Sequence, residues 1–102
     1  MLADPGAERL VSVVTLWEIV LTSGRGKLLA EAGAVAAAAR AGGFEPLALE
    51  LPHVLTAAGL PRFADHGDPF DRMLVAQAKA EGLTLMTVDP KLARYGIPVL
   101  GA

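Results

Sequence analysis

His66-Gly67-Asp68-Pro69-Phe70-Asp71-Arg72-Met73-Leu74-Val75-Ala76-Gln77-Ala78 is the stretch whose reading decides the fold. It passes from polar punctuation to apolar residues at helical spacing, so it opens a helix. Asp68 is a good N-cap, because its side chain can accept from the free amides of the first turn. Pro69 suits the first helical position, where its missing N–H is not needed. Asp71 falls in that first turn, where the helix dipole favours negative charge. Gly82 at the C′ position closes a helix predicted over 69–81. Two acids in this place can simply cap a helix, so any further role depends on what the rest of the chain brings beside them.

Downstream, 83–88 is almost wholly apolar and predicts a strand buried on both faces, as in a parallel sheet. Asp89-Pro90 starts a helix of one or two turns, and 97–100 makes a last short strand. Upstream, 60–67 is a loop carrying Pro61 and His66. Before it come a short helix over 52–58 stopped by Gly59 and a strand over 44–51 kinked by Pro46. An alanine-rich helix over 28–41 ends at Gly42-Gly43. Ser23-Gly24-Arg25-Gly26-Lys27 breaks the chain ahead of it. A strand over 8–13 then leads into a helix over 14–22, nucleated by Ser12 or Thr15. Residues 1–8 read as a turn around Asp4-Pro5-Gly6. Strands alternating with helices imply right-handed βαβ crossovers and a three-layer α/β domain.

With 102 residues the chain fits one small domain, 1–102, with one core. Hydrophobic residues make up 53%, but many are alanine, so the core volume is smaller than that fraction suggests. No apolar run approaches the roughly 20 residues of a membrane span, and the first residues lack the basic and apolar regions of a signal peptide. The chain has no cysteine, which excludes disulfides and thiolate zinc sites and fits a reducing cytoplasm. The net charge of −2 advertises no polyanion partner, so any nucleic-acid contact must come from a local patch.

Glu18 lies in a helix that is apolar nearly all round, a pattern that predicts burial. A buried carboxylate is costly unless paired or bound to a cation; Arg72 or Lys27 could pair with it, or its position could be an exposed edge. Asp89 follows an apolar strand at its carboxyl end, the edge where ligands of open α/β sheets collect. It can equally cap the helix beginning at Pro90, and both roles can hold at once. Thr87 could orient a water or a carboxylate there, or be an ordinary β-branched strand residue. His66 could contact substrate or an acid, or simply face solvent or cap. Arg25, Lys27, Arg62 and Arg72 are the candidate phosphate contacts, although the Ser23–Lys27 loop lacks the spacing of a phosphate-binding P-loop. Trp17 could stack a base, but its apolar helix reads more simply as core.

The 66–78 stretch resembles the HxDPFDRxLxAQA signature of PIN-domain ribonucleases, specifically the VapC-type toxins of toxin–antitoxin pairs. Val11-Ser12-Val13-Val14-Thr15-Leu16-Trp17-Glu18-Ile19 upstream, Leu85-Met86-Thr87-Val88-Asp89 downstream and the closing Tyr95-Gly96-Ile97-Pro98-Val99-Leu100 agree in type and order. The resemblance implies a PIN-like three-layer domain with a short parallel sheet flanked by helices. It implies metal ligation and catalysis by Glu18, Asp71 and Asp89, with Asp68, Thr87 and His66 behind them and Arg25, Lys27 and Arg72 on RNA. Three such carboxylates within about 4–6 Å would each repel by a few kcal/mol at an effective dielectric near 20. A divalent cation removes that cost, and all-oxygen ligands suit Mg²⁺ or Mn²⁺ rather than Zn²⁺. The implied activity is hydrolysis of RNA phosphodiester bonds in the cytoplasm, away from any membrane, with a cognate antitoxin and a second copy of the chain as partners.

Members of the family open with an apolar strand ending in Asp, followed by a helix. The resemblance therefore implies an N-terminally truncated domain whose first, central strand is missing, leaving the 8–13 and 83–88 strands with unpaired edges. Cleavage is expected to be impaired by the loss of that Asp. The alternative is a non-catalytic remnant that binds antitoxin or another toxin copy. A phosphatase or other α/β hydrolase would need a nucleophile motif at a strand end, and neither Asp-x-Asp nor Gly-x-Ser-x-Gly occurs.

Overall fold

The helix predicted from the opening stretch, α4, spans Pro69–Glu81 with the expected punctuation at both ends. The Asp68 carboxylate accepts from the amides of Phe70 at 2.8 Å and Asp71 at 3.2 Å. At the other end Gly82 takes φ +67°, a left-handed conformation that only glycine adopts at no steric cost. The Leu83 amide then reaches back to the Ala78 carbonyl at 2.8 Å, which turns the chain sharply into the next strand. The structure is a computed structural model that describes residues 2–3, 9–22, 28–64, 67–87 and 89–101.

In chain order the remaining elements are β1 (Leu2–Ala3), β2 (Arg9–Ser12), α1 (Val13–Thr22), α2 (Leu28–Ala41), β3 (Phe44–Leu47) and α3 (Leu51–Ala58). After α4 come β4 (Thr84–Thr87), a 3₁₀ helix (Pro90–Tyr95) and β5 (Val99–Gly101). The strands form one sheet in the order β3-β2-β1-β4-β5. β2 pairs parallel with β3, and β4 parallel with β5. This is the short parallel sheet flanked by helices expected of a PIN-like α/β fold.

The centre of the sheet differs from expectation. β1 lies between β2 and β4 and runs antiparallel to both, with Leu2 opposite Leu10 and Leu85, and Ala3 opposite Arg9 and Thr84. The slot expected to stand open is therefore occupied, and the inner edges of β2 and β4 are paired there rather than bare. Two residues carry no periodicity, so the sequence reads 2–3 as part of a turn; only pairing on both sides makes them a strand. Since β1 opposes both neighbours, the four longer strands all point the same way, and their carboxyl ends share one edge.

The core gathers where α4 lies on β4 and the 3₁₀ helix. Val75, Ala76, Ala78, Leu83, Leu85, Leu92, Tyr95 and Ile97 are buried in one cluster, with Leu60 closing it from the end of α3. Tyr95 and Phe63 meet edge to face at 5.1 Å. α1 corrects a second expectation. Its apolar composition predicted burial all round, yet only one flank is covered: Val14 is 3% exposed, whereas Trp17 is 55% and Leu21 56% exposed. α1 packs against α2, α4 and the end of β2, and that cover leaves Trp17 and Leu21 largely exposed. Among the described residues no helix is long and apolar enough to cross a membrane.

Candidate active site

Two short elements build the candidate site. α1 leaves the carboxyl end of β2 and carries Glu18 in its second turn; α4 begins beside it with Asp68 and Asp71 in its cap and first turn. The start of α1 is set by Ser12, whose hydroxyl accepts from the Val14 amide at 3.0 Å. This bears out Ser12 as a nucleator of that helix. Trp17 and Phe70, each one residue ahead of an acid, meet edge to face with centroids 5.3 Å apart and planes at 73°. The aromatic contact holds the two helical segments together next to their carboxylates.

Glu18 is half-buried, and its carboxyl is pushed above the ordinary value, first by burial and then by the charges of Asp68 and Asp71. The three acids thus stand within electrostatic reach of one another, from parts of the chain far apart in sequence. Asp68 is committed to the α4 cap by two backbone amides. Asp71 is half-buried in the first turn.

Asp89 stands at the carboxyl end of β4 and caps the 3₁₀ helix, accepting from the Lys91 amide at 3.0 Å. Its own amide donates to Thr87 Oγ1 at 3.1 Å, so Thr87 orients the Asp89 backbone. Asp89 is not among the charges that raise Glu18. Among the described residues no three acid or histidine side chains form a group able to hold one metal ion. Glu18 therefore stands within electrostatic reach of Asp68 and Asp71, and Asp89 sits at the carboxyl end of the neighbouring β4.

Arg72 is placed differently from the sequence expectation. Rather than pairing with Glu18, its guanidinium donates to the carbonyls of Pro61 at 2.8 Å, Ala57 at 3.3 Å and Leu60 at 3.5 Å. It also lies over the Tyr95 ring at 5.9 Å. Arginine's fixed fork suits several carbonyls at once, and those at a helix C-terminus carry partial negative charge. Arg62 is exposed in the loop before α4. The expectations for Arg25, Lys27 and His66 lie outside the described residues.

Ser12 also joins Gln77 and His53, to which the sequence reading gave no role, in a buried polar chain behind the site. Ser12, Gln77 and His53 are each wholly buried. Ser12 donates to Gln77 Oε1, and Gln77 Nε2 faces the Ala48 carbonyl and His53 Nδ1, each at 3.4 Å. His53 Nδ1 accepts from the Glu50 amide at 3.1 Å, which places the ring proton on Nε2, 2.8 Å from Glu81. The signal available beforehand was Gln77 itself, an amide set among Val75, Ala76 and Ala78 on the apolar side of α4.

A sequence profile of the PIN domain matches residues 1–98 of the 102. The chain belongs to the PIN domain family. No protein of curated function matches it significantly. PIN domains are typically metal-dependent nucleases that use divalent ions, and they are often tied to toxin–antitoxin pairs. The donor chemistry in this PIN domain fits such an ion: the side chains are oxygen-only and anionic, and one of them, Glu18, is raised first by burial and then by the charges of Asp68 and Asp71.

Proposed function

We propose that this PIN domain is an endoribonuclease of the VapC toxin type, hydrolysing RNA phosphodiester bonds with Mg²⁺ or Mn²⁺. The observation that carries the reading is the PIN-domain match over residues 1–98, with Glu18 of α1 brought beside Asp68 and Asp71 of α4. Like charges gathered on a rigid helix pair cost stability unless a cation offsets them, and such sites are where function concentrates. Glu18 and Asp71 would hold the ion, and Asp89 would complete the set from the neighbouring strand end. The bound ion would polarise a phosphate oxygen and lower the pKa of a water.

The chain's own residues do the positioning. The Asp68 cap fixes the first turn of α4 and with it Asp71. Ser12 fixes the first turn of α1, one turn ahead of Glu18. Thr87 fixes the backbone at Asp89. Arg25 and Lys27 are the proposed RNA contacts, His66 is proposed to support the acids from behind, and Arg72 acts through the frame it ties together.

The proposed partners are a cognate antitoxin and a second copy of the chain. Leu51, Val54 and Leu55 support a protein-covered face, since they project from one side of α3 and are 68%, 45% and 63% exposed.

A second reading, a non-catalytic PIN domain that only binds antitoxin or another toxin copy, is favoured by the finding that no three acid or histidine side chains among the described residues form a group able to hold one metal ion. One experiment separates the two. Purified chain is incubated with single-stranded RNA in Mn²⁺, in Mg²⁺ and in chelator, alongside Asp71→Asn. Metal-dependent cleavage that Asp71→Asn abolishes supports the nuclease; absence of cleavage, with antitoxin binding intact, supports the binder.

A further inference from the structure

His53 of α3, Gln77 of α4 and Ser12 at the end of β2 meet with no surface exposure. We propose that His53 is a positioning residue for the Glu18 carboxylate, acting through Gln77 and through Ser12, whose hydroxyl starts α1. The purpose of such positioning rests on the nuclease reading, whereas its test reads geometry and ion binding rather than cleavage.

Burying an imidazole and a carboxamide is costly unless their polar atoms find partners. Among the described residues no buried side-chain nitrogen or oxygen lacks one. A network satisfied in this way holds its elements in one arrangement. The chain also has one direction. His53 Nδ1 accepts from the Glu50 amide at 3.1 Å, so the ring proton sits on Nε2, 2.8 Å from Glu81 Oε1. One end of the Gln77 amide therefore faces two acceptors, His53 Nδ1 and the Ala48 carbonyl, each at 3.4 Å, and that end is the NH₂. Gln77 Oε1 is left to accept from the Ser12 hydroxyl, whose oxygen accepts in turn from the Val14 amide at 3.0 Å. Turning the amide over would set its oxygen against both acceptors. The chain ends on the two helices of the site: Ser12 begins the one that carries Glu18, and Gln77 lies on the one that carries Asp71.

Long-range ¹⁵N–¹H NMR of the full chain in mildly alkaline solution should show the His53 ring as the Nε2–H tautomer. Two substitutions then separate acceptor from shape. His53→Asn keeps an oxygen near the place of Nδ1, and His53→Phe keeps a flat ring without an acceptor. Burial and the charges of Asp68 and Asp71 raise the Glu18 carboxyl, and a loosened α1 leaves it better hydrated and farther from them. In chelator, NMR titration of the Glu18 side-chain carbon should show that elevation reduced in His53→Phe and retained in His53→Asn. Mn²⁺ affinity measured by calorimetry should fall about 10-fold in His53→Phe and recover at least in part in His53→Asn, with both variants keeping the wild-type circular dichroism.

An Nδ1–H tautomer in the wild-type chain overturns the inference by itself, whether or not the variants fold. A folded His53→Phe with the wild-type Glu18 titration also overturns it. Equal losses in His53→Phe and His53→Asn do the same and assign His53 to packing alone. If the wild-type chain binds no Mn²⁺, the nuclease reading falls while the Glu18 titrations still decide the role of His53. If His53→Phe changes nothing while Asp71→Asn still abolishes metal-dependent cleavage, the positioning role falls and the nuclease reading stands.

Discussion

The Ser12 hydroxyl donates to Gln77 Oε1 across 65 residues of chain, and both side chains are wholly buried. This bond ties the carboxyl end of β2 to the middle of α4. Because Ser12 also starts α1, it links the helix carrying Glu18 to the helix carrying Asp71. Gln77→Leu should therefore leave the buried Ser12 hydroxyl without its acceptor and the Ala48 carbonyl without its side-chain donor. A buried orphan of this kind costs about 1–3 kcal/mol, so urea unfolding of Gln77→Leu should show a loss of about 2 kcal/mol. Gln77→Leu combined with Ser12→Ala should recover part of it, and a purely additive double mutant would contradict the coupling.

Glu18 titrates above its ordinary value of 4.5 in the fold because of burial and the charges of Asp68 and Asp71. An acid raised in the native state binds protons there that the unfolded chain has already released. Its contribution to stability is thus complete below pH 4.5 and is lost as pH rises through the folded value. In chelator, Glu18→Gln should be more stable than wild type at neutral pH, and the advantage should vanish on acidification below that value. Thermal denaturation across pH 3.5–8 checks the sign. Adding Mn²⁺ should raise the wild-type Tm and leave Glu18→Gln nearly unmoved.

Asp68 has two separable roles, since it caps α4 through Phe70 and Asp71 and it places a charge beside Glu18. Asp68→Asn keeps an acceptor while removing the charge, and should leave stability close to wild type. Asp68→Ala removes both and should cost about 1 kcal/mol. Both variants should bring the Glu18 carboxyl back toward its ordinary value, measurable by NMR titration of its side-chain carbon.

Arg72 holds the carbonyls at the end of α3 and in the loop that follows. Arg72→Met should destabilise the fold by about 1–3 kcal/mol, because charge-assisted hydrogen bonds to that corner are lost. Arg72→Lys should recover only part of this, since one ammonium cannot serve three carbonyls in a fixed fork. The slope of log affinity for RNA against log salt should be the same in both variants as in wild type, whereas a phosphate contact would lower it by nearly one.

α2 and α4 were legible to the residue, Leu28–Ala41 and Pro69–Glu81, because their ends are written in local chemistry. Asp68, Pro69 and Gly82 act on amides and dihedrals within a turn of themselves, so no distant partner was needed to read them. The candidate acids were legible by type and position. What each one faces was not: Glu18 meets Asp68 and Asp71, Arg72 turns away to α3, and Asp89 caps its own short helix. Trp17 was misplaced for a related reason. Apolar content predicts how much of a helix prefers to be buried, not how much cover its neighbours provide.

Helical and strand spacing alone determined a small α/β domain with helix limits set by caps within each turn, and the order of its motifs resembled the PIN family. Only the tertiary structure decided that Leu2–Ala3 run antiparallel through the middle of the sheet, and that Ser12, Gln77 and His53 join in one buried chain. Capping and helical spacing are short-range and repeat wherever their residues occur. Strand pairing and buried hydrogen bonds depend on which distant groups arrive at one place, and that is settled when the whole chain packs.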